Sequence, residues 1–268
     1  IGRTWTLTPV ANLEPINIWG VIVKRCTLHN YDEIKKLDIK IWDTVFIKRA
    51  WEDIPKIVWV IENARNGKES QILIPENCPS CDTQIAKDDD KIRYYCPNHS
   101  NCREQVKQKI IYWVSKQALN IDWLWVEQVE LFMEKGFISN LSDIYSLHTY
   151  KEQILAIAWY KDKSVNNLLS AIENSKKQTL VNFIVALNIP GVGKNTAKEL
   201  SKVIASKDDL YFFTATQETL TSLNDIWELL AKNILNFFNN YENKLLIQKL
   251  LENIEITFEN TVSSWIFT

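Results

Sequence analysis

The spacing of apolar residues changes part-way along the chain. Up to about residue 75 they come in short runs rich in β-branched side chains. Gly20–Leu28, Thr44–Ala50 and Pro55–Glu62 read as strands. Between the first two, Asn30–Leu37 has helical spacing, with Asn30 as its cap. Pro55 and Pro75 stand at strand edges. From Arg103 onward the period is helical. Arg103–Gln117 is a basic amphipathic stretch, further helices follow, and Pro190 is the only proline after Pro97. The pattern predicts a multidomain α+β chain: a small β-barrel over residues 1–75, a cysteine-bearing segment over 76–103, and an all-α domain over 104–255. The oligonucleotide-binding (OB) fold is one barrel of that size.

The helical half repeats itself. Ala118-Leu119-Asn120-Ile121 recurs as Ala186-Leu187-Asn188-Ile189, 68 positions later. The first copy continues Asp122-Trp123-Leu124-Trp125 and the second Pro190-Gly191-Val192-Gly193. The same offset sets Trp159 on Trp227, each ahead of a helix (Ser164–Glu173 and Leu229–Phe238). Four turn-helix signals follow, near 123, 159, 191 and 227. The best preserved is Ile189-Pro190-Gly191-Val192-Gly193-Lys194, a helix-hairpin-helix pattern. Its first glycine permits a tight turn. The amides at the next helix start, with Lys194 beside them, can face a DNA phosphate without reading bases.

Cys78-x2-Cys81-x14-Cys96-x5-Cys102 is the strongest chemical signal. Four thiolates bind Zn²⁺ tetrahedrally, and a closed four-ligand site is structural. His99 could replace one thiolate, although Cys102 is favoured. Asp82 and the Asp88–Asp90 run belong to loops rather than to the ligand set. Cys26, alone in a strand, reads as a small buried hydrophobe.

Composition narrows the classes. No apolar run reaches the roughly 18–20 residues of a membrane span, so no membrane partner is expected. Four clustered cysteines do not make a secreted disulfide framework. No charged-then-apolar leader opens the chain, and a start at Ile1 suggests a piece of a longer protein. The net charge of −2 hides a split. Residues 163–207 hold seven Lys against Glu173 and Glu199, while residues 208–260 hold nine acids against three Lys. The barrel segment adds Arg3, Lys24, Arg25, Lys48 and Arg49 as phosphate-contact candidates.

Taken together, these motifs resemble the C-terminal half of a bacterial NAD-dependent DNA ligase. Gly2-Arg3-Thr4, Thr8-Pro9-Val10-Ala11, Leu13-Glu14-Pro15, Thr27-Leu28-His29-Asn30 and Asp32-Glu33-Ile34 resemble the family's OB-domain entry. Arg49-Ala50 with Ile54-Pro55 resembles a later OB motif. The cysteine spacing is similar to the family's zinc finger and the hairpins to its helix-hairpin-helix domain. Residues 256–268 look like the start of its terminal BRCT domain. The resemblance implies a clamp on nicked double-stranded DNA. Arg3, Arg25, Arg49, Trp123, Trp125, Trp159, Gly191, Gly193, Lys194 and Trp227 would line the DNA side. Zn²⁺ would be structural, and NAD and Mg²⁺ would act through domains ahead of Ile1. It also implies a monomer in the bacterial cytoplasm, at the nucleoid. The family's nucleophile motif Lys-x-Asp-Gly is absent from these residues, so the chain is expected to bind DNA without forming enzyme-AMP. The alternatives are a non-catalytic repair or junction-binding scaffold and a zinc-and-OB protein-interaction module.

One imbalance needs explaining. The chain has 6 Gly and 11 Trp, where usual composition gives roughly 19 Gly. Trp5, Trp19, Trp42, Trp51, Trp59, Trp123, Trp125, Trp159 and Trp227 stand where the family usually has glycine. An aromatic binding surface is one reading. The other is a gene whose UGA codons mean glycine in its host and tryptophan in the translation. Trp113 and Trp265 fall outside this pattern. Lys161, where a hairpin glycine is common, is a separate departure.

Overall fold

The computed structural model describes residues 1–2, 5–48, 55–87, 93–99 and 101–258. They fall into two compact units that divide between Gln105 and Val106.

In the first unit β1 (Val10–Ile18) and β2 (Val21–Thr27) make an antiparallel hairpin. The sequence pattern does not announce β1, because Pro15 and two asparagines interrupt its alternation. The ladder accordingly breaks between Asn12 and Ile16, where Pro15 has no N–H to donate. The hairpin closes on two residues, Trp19 and Gly20, both in the left-handed region (φ +49° and +79°). That is the pattern of a type I′ turn, which matches strand twist and normally takes Asn-Gly or Gly-Gly. Helix α1 (Tyr31–Lys36) begins as its sequence predicts: the Asn30 side chain accepts from the Glu33 N–H at 2.8 Å.

Short strands follow: β3 (Lys40–Ile41), β4 (Val45–Lys48), β5 (Lys56–Val60) and β6 (Ser70–Gln71). The main sheet runs β1-β2-β5-β4 and curls, while β3 and β6 pair separately. Leu7, Leu28, Tyr31, Ile34, Ile39 and Ile57 form its core, together with Cys26. The Cys26 thiol donates to the Pro55 carbonyl at 2.7 Å, and burial raises its pKa, so it is an inert packed group. A last hairpin, β7 (Ala86–Lys87) with β8 (Tyr94–Tyr95), carries the cysteine segment. It is tied to the chain start, where Leu7 N–H donates to Tyr94 and Cys96 N–H to Trp5.

Helix α2 (Arg103–Val114) begins in the first unit and continues into the second, where α3 (Val126–Glu134), a 3₁₀ helix over Leu141–Tyr150, α4 (Lys151–Leu155) and α5 (Asp162–Asn174) follow. After β9 (Lys177–Thr179) come α6 (Leu180–Ala186), α7 (Lys194–Leu200), α8 (Lys207–Phe212), α9 (Gln217–Thr221), α10 (Glu228–Asn239) and α11 (Tyr241–Leu251). Trp113 sits fully buried at the centre. Its indole N–H donates to Tyr145 Oη at 3.2 Å and its ring meets Phe183 edge-on. The sequence places a further domain from residue 256. In the structure β10 (Glu255–Thr257) pairs parallel with β9 and buries Ile256 in the helical core, and residues 259–268 lie outside the described residues. Among the described residues no helix is long and apolar enough to cross a membrane.

A charged staple holds the loops of the first unit. Arg65 forks onto Asp43 (Nε–Oδ1 2.8 Å, Nη2–Oδ2 3.0 Å) and also reaches the Asp38 carboxylate (Nη1–Oδ2 2.8 Å). Burial pushes the Asp43 pKa up, but the Arg65 guanidinium outweighs it and holds the carboxyl below 3.8. The Arg65 hydrogen bond likewise lowers Asp38. A carboxyl lowered in the folded state adds stability above its ordinary pKa and loses it as pH falls through the folded value. Thermal melts of this chain should therefore weaken as pH drops below 3.8. The Arg65→Ala variant should melt lower at neutral pH and lose part of that acid dependence. An unchanged acid profile would contradict the assignment.

Candidate metal centre and nucleic-acid interface

The four predicted thiols converge. The sulfurs of Cys78, Cys81, Cys96 and Cys102 all lie within 4.8 Å of one another. Cys78 and Cys102 are 3.9 Å apart, and Cys81 and Cys96 3.6 Å. A tetrahedron with Zn–S bonds of about 2.3 Å has edges of about 3.8 Å, so the cluster fits that ion. Backbone shapes it. Asp82 takes φ +56°, the Cys78 N–H donates to Thr83, and the Ser80 N–H points at Cys78 Sγ at 3.4 Å. Neither His99 nor Asp82 belongs to the cluster. His99 instead packs on Trp5, ring centres 4.0 Å apart. Cys102 is therefore the fourth ligand candidate.

Three of the thiols differ in acidity. Burial drives Cys96 up to about 12 and also raises Cys78. At Cys81 burial is overcome by hydrogen bonding from Thr83 and the neighbouring thiols, which bring it down to about 6. Close thiolates repel, and a divalent cation is the group that would let all four lose their protons together.

The four hairpins share one register: apolar, any residue, first turn position, apolar, second turn position. The runs are Ile121-Asp122-Trp123-Leu124-Trp125, Ile157-Ala158-Trp159-Tyr160-Lys161, Ile189-Pro190-Gly191-Val192-Gly193 and Leu223-Asn224-Asp225-Ile226-Trp227. In each, the second position is an extended helix cap whose carbonyl accepts the first helical bond. The donors are Val129, Val165, Ala197 and Ala231, at 2.9–3.0 Å. This corrects one correspondence. Lys161, not Trp159, is the counterpart of Trp227, and Trp159 is the counterpart of Asp225. The repeat offset is thus 68 for the first hairpin of each half and 66 for the second.

The first turn position is left-handed in three hairpins: Trp123 (φ +68°), Gly191 (φ +85°) and Asp225 (φ +59°). Gly191 is doubly constrained, since a Cβ there would come within 2.9 Å of Leu230 Cδ1. Asn233 also reaches the Pro190 carbonyl, so the third hairpin is packed against α10. Asn120 and Asn188, the repeated asparagines, are left-handed too and end the preceding segments (φ +49° and +55°).

Charge separates the hairpins. Lys161 and Lys163 flank the second, with Asp162 between them, and Lys194 and Lys198 the third. The first has Asp122 and Glu127, and the fourth Asp225 and Glu228. Lys194 is exposed beside the turn. Two lysines of the basic segment are engaged in ion pairs, Lys176 with Glu173 and Lys202 with Glu199. On the sheet, Arg25 is exposed on β2 as expected. Strand register adds Lys56, which the sequence does not single out. It stands directly opposite Lys48 on β4 and beside Thr27 on β2. Like charges placed opposite one another are unfavourable without an anion between them. Arg3 and Arg49 lie outside the described residues.

Comparison with known proteins matches this geometry module by module. Residues 1–69 match the NAD-dependent DNA ligase OB-fold domain and residues 77–103 the NAD-dependent DNA ligase C4 zinc finger domain. Residues 182–247 match the helix-hairpin-helix motif. The OB-fold and zinc-finger modules of this chain are those of the NAD-dependent DNA ligase family. The chain is 37% identical over 253 residues to a DNA ligase of Flavobacterium psychrophilum, covering 94% of this chain and 37% of that protein. It is 42% identical over 252 residues to one of Sulfurihydrogenibium azorense, covering 94% and 35%. It is 40% identical over 251 residues to one of Coxiella burnetii, covering 94% and 37%. The chain thus spans little more than a third of the length of these relatives. The helix-hairpin-helix match covers the third and fourth hairpins. The first two are identified by their shared register.

Two changes test these sites. Cys96→Ser should abolish tight zinc binding, read as metal content after desalting, because a structural zinc site contributes about 10 kcal/mol or more of apparent binding energy through its full ligand set. Retention of zinc would exclude Cys96 as a ligand. Gly191→Ala should lower the urea-unfolding free energy by about 2 kcal/mol, from the left-handed backbone and the overlap with Leu230. A neutral result would show that the third hairpin is free of both constraints.

Proposed function

We propose that this chain is the DNA-gripping part of a ligase that seals nicks, joining a 5′-phosphate to a 3′-hydroxyl in duplex DNA. The observation that carries the reading is the common register of the four hairpins, each ending in an extended cap at a helix start. Helix-start amides attract anions, and Lys161, Lys163, Lys194 and Lys198 add positive charge where the second and third hairpins turn. Arg25, Lys48 and Lys56 offer a second phosphate row on the sheet. Such contacts hold the backbone and leave sequence unread, as sealing at any nick requires. The zinc finger acts as a structural clip, its ion held by the four cysteines. The relatives' name favours a ligase over a non-catalytic scaffold.

Residues 1–268 contain no Lys-x-Asp-Gly. On this reading adenylyl transfer, with its NAD and Mg²⁺, lies outside them, and the protein works as a monomer on DNA in the bacterial cytoplasm. The test is binding to nicked and intact duplex across a salt series. Affinity should fall steeply with salt and favour the nick. The Lys194→Ala, Lys198→Ala double variant should bind more weakly and flatten the log-log salt slope by about one for each phosphate it no longer neutralises. Salt-independent binding, or an unchanged slope, would remove the hairpin from the interface.

A further inference from the structure

We infer that the working protein carries glycine at positions 5, 19, 42, 123, 125, 159 and 227, its gene spelling them with UGA codons that its host reads as glycine. Four of these positions have a backbone that tryptophan rarely adopts. Trp5, Trp19, Trp42 and Trp123 have φ of +67°, +49°, +74° and +68°. Of the seven other non-glycine residues with positive φ, six are Asn, Asp or His, the types that tolerate it. Each of the four sits in a tight turn. Trp5 N–H closes onto Gly2, Trp19 shares a two-residue hairpin with Gly20, and Trp42 is third of the Lys40–Asp43 turn. Trp123 occupies the position that Gly191 holds in the other half of the repeat.

The remaining three follow from hairpin register. Trp125 and Trp227 occupy the cap position of Gly193, and Trp159 the turn position of Gly191. Their backbone accepts any residue, so here the argument is the side chain. Trp19, Trp42, Trp125, Trp159 and Trp227 are between 61% and 78% exposed. The Trp5 indole N–H is buried without an acceptor. Trp123 and Trp125 stack on each other, ring centres 6.4 Å apart, at the start of α3. Trp113 shows what a tryptophan selected for its side chain looks like in the same molecule: fully buried, hydrogen-bonded and edge-packed. Trp59 pairs with Phe46 beside a bulge in the β4–β5 ladder, and because its φ is not positive its backbone decides nothing. Trp51 lies outside the described residues.

The inference changes what the first and fourth hairpins can do. With glycine at 123, 125 and 227, the turns that open α3 and α10 carry no indole. This consequence rests on the DNA-gripping reading, whereas the identity of the residues does not.

The decisive experiment reads the codons and the peptide masses of the protein isolated from its own host. UGA at the seven positions with glycine in the peptides is the expected result, with UGG at Trp113. UGG at the seven, or tryptophan in the peptides, overturns the inference and leaves the DNA-binding reading untouched. A second measurement compares thermal unfolding of the chain as written with one carrying Trp5→Gly, Trp19→Gly, Trp42→Gly and Trp123→Gly. The glycine chain should melt higher, and a lower or equal midpoint would remove the backbone argument. If the glycine chain melts higher and still binds no DNA, the functional reading fails and this one stands.

Discussion

Three of the four hairpin helix starts are aimed by one left-handed residue in a tight turn. At Gly191 that residue also lies against Leu230, so the turn is packed as well as bent. A non-glycine residue in this conformation costs roughly 1–2 kcal/mol. The remainder of the helical unit serves the same end. Leu124, Val192 and Ile226, the apolar residues between the two turn positions, are buried and anchor three of the hairpins from beneath. The second hairpin departs from the pattern. Tyr160 replaces the aliphatic anchor, Trp159 is not left-handed, and Lys161 caps the helix, with its own N–H bonded to Ser164 Oγ at 2.9 Å.

The first unit solves a different problem. Its sheet is small, and its polar loops are held by charge and by sulfur rather than by area. The Arg65 fork neutralises two aspartates on the loops around β3. The thiol cluster joins the turn before β7 to the segment leading into α2. Against these cohesive pairs stands the like-charged row Lys48–Lys56, which weakens the sheet that carries it. Both lysines are exposed, so water and salt screen much of that repulsion.

Much of this is legible in the sequence, for physical reasons that differ by residue. Asn30 and its helix are visible because capping is local. The cysteines are visible because ligand spacing is local within each pair, although the choice between Cys102 and His99 needs the distances. The barrel strands show through β-branched runs, except β1, where Pro15 hides the alternation that its own bulge accommodates. Lys56 is invisible, since its meaning comes from the strand opposite. The repeat is visible, but a constant offset sets its second hairpins two residues out of step. Trp159 and Trp227 share a letter without sharing a place in the turn, and only the cap geometry tells the first turn position from the second.

The short parallel ladder between β9 and β10 gives the helical unit a mechanical property. β9 is the segment between α5 and α6, the seam between the two halves of the repeat. The chain returns to that seam as its last described strand, with Glu255 N–H bonded to Lys176 O at 2.7 Å. The last described strand is therefore held at the junction of the two halves of the repeat, by main-chain pairing and by the buried Ile256, and does not end the unit as a free terminal helix. A force applied at that strand would load its main-chain hydrogen bonds to β9 in shear, the direction in which a parallel pair resists best, so the seam closes the helical unit mechanically as well as in sequence.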